Sequence, residues 1–436
     1  MGMSPAQGSS TGAAMMRFIE ELYPLCRSIT GDGVRSTLAR IHREIPLSIT
    51  ETPSGTRVFD WTVPREWNIR GGCLDGPEGG RIVDFRDHNL HVLNYSAPVD
   101  KQVSRDDLEP HLFSLPDQPD LIPYRTSYYR ENWGFCLPHR QREALGPGSY
   151  HAFIDSDLSE GSLTLGEVLI PGQLKDEVLI WSHVCHPSIA NDNLSGLAVT
   201  AWWAKHLAES PTPRYSFRFV WGPGTIGSIT WLARNQEQIP RIRHGVVAVL
   251  LGRPGAFHLK RSRRGNAEID RLAECVLVET ESGVKIRDFD PYGYDERQFC
   301  SPGIDLPLCR VSRVPNGEYP EYHTSGDNLD VVSAAALDEA LAACISISDA
   351  LDANRTWINR APMGEPQLGT RGLYHATGGT NPKAREHAML WILNQSDGNN
   401  SLLDIAERSG LDLATLAAVA ADLAAAGLLG EASGQS

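Results

Sequence analysis

Residues 181–196 read WSHVCHPSIANDNLSG, and this stretch says more about the fold than any other part of the chain. A short apolar strand, EVLIWS, ends at its start, and the helical pattern LSGLAVTAWWAKHLAE begins at its end. The turn between them carries His183, His186 and Asp192. Neutral imidazole and carboxylate are donors that a borderline-soft dication such as zinc selects. The spacing therefore indicates a metal site where a buried strand gives way to a helix.

The alternation of strand and helix continues downstream of this turn. YSFRFVWG, HGVVAVLLG and LPLCRVSRV are predicted strands, and SITWLARNQEQI, DRLAECVLVET and SAAALDEALAACISISDAL are predicted helices. Strands that alternate with helices imply a largely parallel sheet, so the predicted fold class is α/β. Ligands of such sheets gather beyond the carboxyl ends of the strands, and the polar clusters of this chain follow predicted strands.

Two other regions have a different composition. Residues 51–134 contain the alternating runs RVFDWTVP, GRIVDF and LHVLNYSAP, which predict a β-rich domain inserted into an α/β domain of residues 1–50 and 135–355. Residues 352–382 are rich in Pro and Gly and are predicted to form a linker. The following runs AREHAMLWILN, SLLDIAERSG and DLATLAAVAADLAAAGLL predict three helices, and their spacing is typical of a winged-helix domain, placed at 375–436.

A second histidine lies just before the last helix of the predicted α/β domain. Residues 318–330 read EYPEYHTSGDNLD and place His323 among carboxylates and tyrosines. Asp327 and Asp330 suit helix capping, which is their ordinary structural role. His323 has no such role, so we interpret it as a further member of the site.

Taken together, these motifs resemble the co-catalytic zinc aminopeptidases and, more closely, a bacterial aminopeptidase-like family. CHPSIANDNLSG, KRSRRGNAEID, YDERQFCSPGIDLP, EYPEYHTSGDNLD and SLLDIAERSG match that family over residues 15–430. The resemblance implies a mixed sheet flanked by helices, an inserted β-rich domain and a C-terminal winged helix. It also implies that His186 and His323 are metal ligands and that Asp192 is the carboxylate bridging two zinc ions.

The resemblance further implies a peptide-like or amino-acid-derived small molecule as substrate. We expect the following side chains to contact it: His183, Arg253, Tyr294, Asp295, Arg297 and Tyr322. Among other groups, a Cys185–His186 nucleophilic pair is a weaker alternative. The basic run KRSRR, over 260–264, suits surface salt bridges better than it suits an anionic ligand.

Two positions depart from the family's pattern. A two-zinc aminopeptidase needs a glutamate base and further carboxylate ligands. The resemblance implies a glutamate in the loop WGPGTIGSIT, but Gly224 stands at that position. It also implies Gly-Asp at the end of the next strand, where this chain has Gly252 and Arg253.

These departures bear on how many metal ions the site could hold. One carboxylate and two imidazoles neutralise two dications poorly, and a nearby guanidinium adds repulsion, so the sequence argues against a di-zinc site. A single zinc on His186, Asp192 and His323 remains open, because three protein ligands suffice for catalytic zinc. Alternatively, Arg253 pairs with Asp192 and fills the space of the metal.

Three functions follow from these readings. The first is a mononuclear-zinc hydrolase or acyl-transfer enzyme of specialised biosynthesis, and the second is a metal-free pseudo-enzyme that binds a peptide, carrier protein or small acid. The third and weakest is a winged-helix regulator. The net charge of −14 and the acidic tail disfavour nucleic acid as a partner. The winged helix and the inserted domain are candidate surfaces for self-association.

The sequence also predicts where the protein resides. The eight cysteines are scattered without a CxxC pair and suit a reducing compartment. The N-terminus lacks the basic and apolar regions of a signal peptide, and no apolar run is long enough to span a membrane. We therefore expect a cytoplasmic protein.

Overall fold

The computed structural model describes residues 10–280, 283–315, 317–373 and 382–432. The chain divides into two compact units, formed by the described parts of 1–270 with 277–343 and of 271–276 with 344–436. The helices are α1 (Thr11–Leu22), α2 (Asp32–His42), α3 (Arg105–Leu108), α4 (His139–Glu143), α5 (Gly196–Glu209), α6 (Ile226–Arg234), α7 (Glu268–Thr280), α8 (Glu296–Phe299), α9 (Ala334–Ala353), α10 (Pro382–Gln395), α11 (Leu402–Ser409) and α12 (Leu413–Ala425). 

The strands of the first unit are β1 (Ser48–Pro53), β2 (Arg57–Val58), β3 (Trp61–Thr62), β4 (Glu66–Asp75), β5 (Arg81–Asp84), β6 (Val99–Ser104), β7 (Leu112–Phe113), β8 (Phe135–Cys136), β9 (Ser149–Ser159), β10 (Ser162–Ile170), β11 (Glu177–His183), β12 (Ser216–Gly222), β13 (Ile242–Ala248), β14 (His258–Lys260), β15 (Lys285–Arg287) and β16 (Leu308–Ser312). Those of the second unit are β17 (Thr356–Asn359), β18 (Asp397–Ser401) and β19 (Leu429–Glu431).

An eight-stranded mixed sheet forms the centre of the first unit, in the order β1-β10-β12-β11-β13-β16-β14-β15. Its four central strands, β12, β11, β13 and β16, run parallel, whereas β1, β10 and β14 pair antiparallel with their neighbours toward the edges. Every residue of β11 and β12 is buried, as expected for parallel strands whose two faces are both covered. The predicted α/β class is confirmed, and the carboxyl ends of the parallel strands meet at one edge.

A second sheet and a small hairpin arise from the predicted β-rich region. The sheet has the order β5-β4-β9-β6 and includes β9, which lies beyond the predicted end at residue 134. The domain boundaries themselves stay a prediction. Strands β2 and β3 form the hairpin. The run LHVLNYSAP was expected to be a strand, but it begins with a 3-10 turn at Asn89–His91, because His88 caps that turn with its side chain.

The second unit contains the winged helix. Helices α10, α11 and α12 pack on one another, and the three strands form a sheet in the order β18-β17-β19. Ser401 and Asp404 form a reciprocal capping box that begins α11, and Gly410, with φ of 70°, ends it. Strand β17 falls within the predicted linker, so that prediction is wrong there: Thr356–Asn359 pairs with both other strands of the sheet.

Two expectations about the location of the protein concern membrane-spanning helices and the N-terminus. No helix among the described residues is both long enough and apolar enough to cross a membrane. The first nine residues, to which the expectation about a signal peptide partly applies, lie outside the described ranges.

Candidate metal site

The site is built on the turn that follows β11. His183 is the last residue of this strand, and residues 190–195 form an irregular turn before α5. Asp327 holds this turn from below, because its carboxylate accepts hydrogen bonds from the backbone N–H groups of Asn191 (2.6 Å) and Asp192 (3.2 Å). Tyr319 donates to the same carboxylate at 2.7 Å. The buried turn therefore presents Asp192 in a fixed position.

Three histidines converge on the carboxylate of Asp192. His183 Nε2 lies 2.8 Å from Oδ1, and His323 Nε2 lies 3.0 Å from Oδ2. Donor atoms of His183, His186 and Asp192 all lie within 4.8 Å of one another, a spacing that one metal ion can bridge. The sequence prediction had His323 in this triad and His183 against the substrate. The structure groups His183, and not His323, with His186 and Asp192, and the side chain of His183 is 0% exposed, so both of its predicted roles stay predictions.

The protonation states of these groups suit a cation. Burial lowers the pKa of His186 well below its ordinary value, so the imidazole is neutral at pH 7 and its lone pair is available. Burial opposes ionisation of Asp192, but the nearby His186 and the hydrogen bonds from His183 and His323 hold the pKa of Asp192 well below its usual range. One nitrogen of the buried His183, Nδ1, also has no hydrogen-bond partner among the described residues. The donor set therefore fits one zinc ion.

Aromatic rings surround the cluster. Tyr294 stacks on His183 with ring centroids 4.8 Å apart, and its hydroxyl donates to Asp192 Oδ2 at 2.9 Å. Tyr322 stacks on His323 at 3.9 Å and places its hydroxyl 3.1 Å from that of Tyr294. Both tyrosines were predicted to contact the substrate, and the structure brings both of them to the cluster.

Two residues that the sequence did not single out also support the histidines. The ring of Tyr124, from the region predicted as an inserted domain, lies 5.0 Å from that of His186 and 5.1 Å from that of His323. Arg27, in the loop between α1 and α2, donates from Nε to the backbone carbonyl of His186 at 2.8 Å. The run LYPLCRSIT, in which Arg27 is the one charged residue, is the sequence signal for such a role.

The end of β12 approaches the cluster without a carboxylate of its own. A methyl group added to Gly224 would lie 3.6 Å from Cys185 Sγ, 3.8 Å from Asp295 Oδ2 and 3.9 Å from His183 Cβ. The next residue, Thr225, has a φ of 61°, a strained conformation for a β-branched side chain. Asp295 fixes it by accepting from its backbone N–H at 2.7 Å.

Asp295 itself was predicted to contact the substrate. It is 1% exposed, and its two oxygens accept from Ser228 Oγ (2.6 Å) and Trp181 Nε1 (2.8 Å) besides Thr225. The structure thus places Asp295 beneath the site as a brace between strand ends. Arg297, another predicted contact, lies on the exposed side of α8 and is not brought to the cluster.

The end of β13 carries Gly252 and Arg253. Arg253 forms an ion pair with Glu321 and lies over the ring of Tyr319, with its guanidinium carbon 5.3 Å from the centroid. The alternative in which Arg253 pairs with Asp192 is not what the structure shows, because the ion-pair partner of Arg253 among the described residues is the partly exposed Glu321. The three groups that hydrogen-bond to Asp192 are His183, His323 and Tyr294 instead.

The structure also shows the contacts of the basic run and of the Cys185–His186 pair. The basic run forms ion pairs, with Lys260 on Glu296, Arg261 on Asp288, and Arg263 and Arg264 on Asp305. Cys185 Sγ lies 3.8 Å from His186 Nδ1, but burial raises the pKa of the thiol to about 12. A thiolate nucleophile is therefore disfavoured at neutral pH.

Comparison with known proteins places the whole chain. Residues 16–354 match a family model described as a domain of unknown function, DUF4910, and residues 355–431 match one described as a winged helix-turn-helix. A protein of Clostridium acetobutylicum is 47% identical over 405 residues, covering 93% of each chain. Its description assigns it provisionally to polysaccharide biosynthesis and gives it an aminopeptidase-like domain.

Solved structures agree with this placement. A crystal structure from Clostridium acetobutylicum, provisionally described as a peptidase, has a TM-score of 0.91 at 45% identity and covers 97% of this chain and 96% of its own. A zinc aminopeptidase of Bacillus subtilis has a TM-score of 0.55 at 14% identity, covering 78% of this chain and 94% of its own, which shows the fold alone. The predicted aminopeptidase fold and winged helix are confirmed.

Proposed function

Because the chain belongs to the DUF4910 family and has the fold of zinc aminopeptidases, we propose that it hydrolyses an amide bond with the help of one zinc ion. The substrate is a peptide-like or amino-acid-derived compound, and the description of the Clostridium relative suggests that it is an acylated precursor of a polysaccharide. The observation that carries the proposal is the convergence of two imidazoles and a carboxylate within 4.8 Å.

His183, His186 and Asp192 would hold the zinc. When bound, the ion acts as a Lewis acid and lowers the pKa of a water molecule toward neutrality. Asp192 supplies the negative charge, and Asp327 keeps the turn of Asp192 from moving when the charge nearby changes. Arg27 fixes the backbone of His186 from the opposite side.

His323 is the group that we assign to proton transfer. Its side chain is 31% exposed, whereas His183 and Asp192 are wholly buried, so a substrate can reach it. Its Nε2 forms a hydrogen bond with Asp192, which orients the ring, and Nδ1 is the atom that would accept and return the proton. This assignment supplies a base where Gly224 offers none.

Tyr294 and Tyr322 would position the scissile carbonyl. Their hydroxyls lie 3.1 Å apart beside Asp192, and each ring is held by stacking on a histidine. Tyr294 donates its one hydroxyl proton to Asp192, so the hydroxyl of Tyr322 is the group that would donate to the carbonyl oxygen and stabilise the negative charge that develops there. In this proposal, Asp295 and Arg253 hold the loops around the site in position and do not contact the substrate.

Hydrolysis of a panel of aminoacyl amides and N-acylated amino sugars tests the proposal. Turnover should disappear on chelation, return with zinc, and disappear in His186→Ala. The matched control is His206→Ala, which removes an exposed histidine of α5 far from the cluster in sequence. Turnover that survives both chelation and His186→Ala would contradict the proposal.

A metal-free binding protein is the second candidate. The observation in its favour is that Asp192 already accepts from His183, His323 and Tyr294, so its charge is neutralised by hydrogen bonds without a cation. On this reading the purified protein takes up no zinc, and Asp192→Asn leaves binding of a substrate-like amide intact.

A further inference from the structure

A line of aromatic rings leads from the histidine cluster to the protein surface. Tyr124 contacts the rings of His186 and His323, and its hydroxyl lies 2.7 Å from that of Tyr128. The ring of Tyr128 lies 6.3 Å from that of Tyr129, which packs edge-on against Trp61 at 5.1 Å. We call Tyr124, Tyr128, Tyr129 and Trp61 the aromatic track.

Exposure rises along the aromatic track. Tyr124 is 4% exposed and Tyr128 is partly buried, whereas Tyr129 is 49% and Trp61 38% exposed. Burial, together with the negative charges of the neighbouring Cys185 and Asp295, raises the pKa of Tyr129. The outer rings are therefore the exposed end of a chain of contacts that begins at the histidine cluster.

Two exposed aromatic residues of this region have strained backbone conformations. Tyr129 has a φ of 65°, and Phe59, at the tip of the β2–β3 hairpin beside Trp61, has a φ of 54° and is 46% exposed. The first position of such a two-residue turn favours glycine when φ is positive, so a phenylalanine there is strained. Strain of this kind in an exposed aromatic residue points to a binding role, because folding alone does not require it.

Charged groups lie among the rings. Arg65 forms an ion pair with Glu131 at 2.7 Å beside Tyr129, and Arg57 contacts Asp60 at 3.3 Å beside Phe59. All four charged side chains are exposed and can hydrogen-bond a ligand. A groove for an apolar side chain would exclude such charges. Aromatic faces interleaved with planar charged groups suit a sugar, whose C–H faces stack on rings while its hydroxyls take hydrogen bonds.

We infer that the exposed end of the aromatic track, formed by Trp61 and Tyr129, together with Phe59 of the β2–β3 hairpin, binds a sugar ring of the substrate while the amide reaches the histidine cluster. This inference rests on the proposed function, because the same substrate presents its amide to the proposed catalytic site. It makes the substrate a glycoside or amino sugar that carries an amide, and it gives the hairpin β2–β3 the role of selecting it.

Saturation-transfer NMR with N,N′-diacetylchitobiose on the full chain tests the inference. Ring protons of the disaccharide should receive saturation from the protein, and Trp61→Ala and Tyr129→Ala should each weaken binding about fivefold. Trp61→Phe keeps a ring and should retain most of the binding, which separates loss of stacking from misfolding. Trp391→Ala removes a ring of the winged helix and should change nothing.

The opposing outcomes are equally defined. The apolar peptide leucyl-phenylalanine amide serves as the second probe, and if Trp61→Ala weakens the peptide but not the disaccharide, the inference is overturned in favour of a peptide. No response of either probe to Trp61→Ala overturns it as well. Binding is measured with chelator and with zinc, so zinc-dependent hydrolysis without sugar contact refutes this inference alone. Sugar contact with zinc-independent hydrolysis refutes the proposed function alone.

Discussion

The end of β11 and the ends of its two neighbours, β12 and β13, meet at one edge of the sheet but differ in chemistry. Beyond β11 lie His183, His186 and Asp192, buried and mutually in reach of one ion. The loops after β12 and β13 offer Gly224 and Gly252, and Arg253, the charged residue that follows Gly252, is paired with Glu321. The donors for a metal are thus concentrated on one strand end, which predicts one ion and not two.

The two glycines differ in the space around them. A methyl group on Gly224 would meet other atoms at ordinary van der Waals distances, starting at 3.6 Å. On Gly252 it would lie 2.5 Å from Val332 Cγ1 and 2.8 Å from Ser195 Cβ. The end of β12 could therefore accept a side chain, whereas the end of β13 is closed by packing.

Removing the charge at the end of β11 should have the largest effect. Asp192→Asn leaves the shape of the side chain but removes its negative charge, so zinc affinity should fall more than about 100-fold. The control is Asp330→Asn, which changes an exposed aspartate outside the cluster and should leave zinc binding normal. Isothermal titration with zinc measures both, and equal affinities would remove Asp192 from the metal site.

The carboxyl group of Asp327, which holds the turn after β11, should make the free energy of unfolding depend on pH. Burial raises the pKa of Asp327 from 3.8 to about 7, so the folded protein holds this proton more tightly than the unfolded chain does. The sign follows: this contribution is complete below pH 4 and is lost as pH rises to about 7. Asp327→Asn removes the contribution.

Urea unfolding of the metal-free protein at pH 4 and pH 8 therefore tests this contribution of Asp327 to stability. The stability of Asp327→Asn relative to wild type should improve by about 3 kcal/mol between these two pH values. Asp330→Asn should show no such change. An offset that is constant across pH would mean that Asp327 acts only through its hydrogen bonds to Asn191, Asp192 and Tyr319.

The contrast between the glycines predicts unequal costs for the same substitution. Gly252→Ala should destabilise the protein by about 1–3 kcal/mol, because Val332 and Ser195 must shift. Gly224→Ala should change the free energy of unfolding by less than about 0.5 kcal/mol. Urea denaturation of both variants measures this, and equal losses would show that the end of β12 is as closed as that of β13.

Adding a carboxylate to the loop after β12 should have the smallest effect on metal binding. Gly224→Glu places an anion near His183 and should let the protein bind a second zinc ion weakly, with an affinity about tenfold or more below that of the first. Gly224→Gln has the same size without the charge and should bind one. A second ion in Gly224→Gln, or none in Gly224→Glu, would contradict this account of the missing carboxylate.

Most of the fold was predictable because the buried strands and helices carry clear periodic patterns, as in EVLIWS and LSGLAVTAWWAKHLAE. The linker prediction failed at Thr356–Asn359, because this short strand is defined by its partners β18 and β19 and not by its own pattern. His88 likewise overrode an alternating run by capping a 3-10 turn.

The site was predictable where residues are close in sequence. His183, His186 and Asp192 share one turn, but which histidines face Asp192 depends on distances that only the fold sets. Tyr124, Arg27 and the pairing of Arg253 with Glu321 come from segments far apart in the chain, so no local pattern indicates them.

The number of zinc ions bound per chain tests the central claim most directly. Mass spectrometry for metals on the full chain, saturated with zinc and then desalted, should give one ion per chain. A value of two would contradict the concentration of donors at the end of β11. A value of zero would contradict the metal site itself and favour the protein in which hydrogen bonds alone hold Asp192.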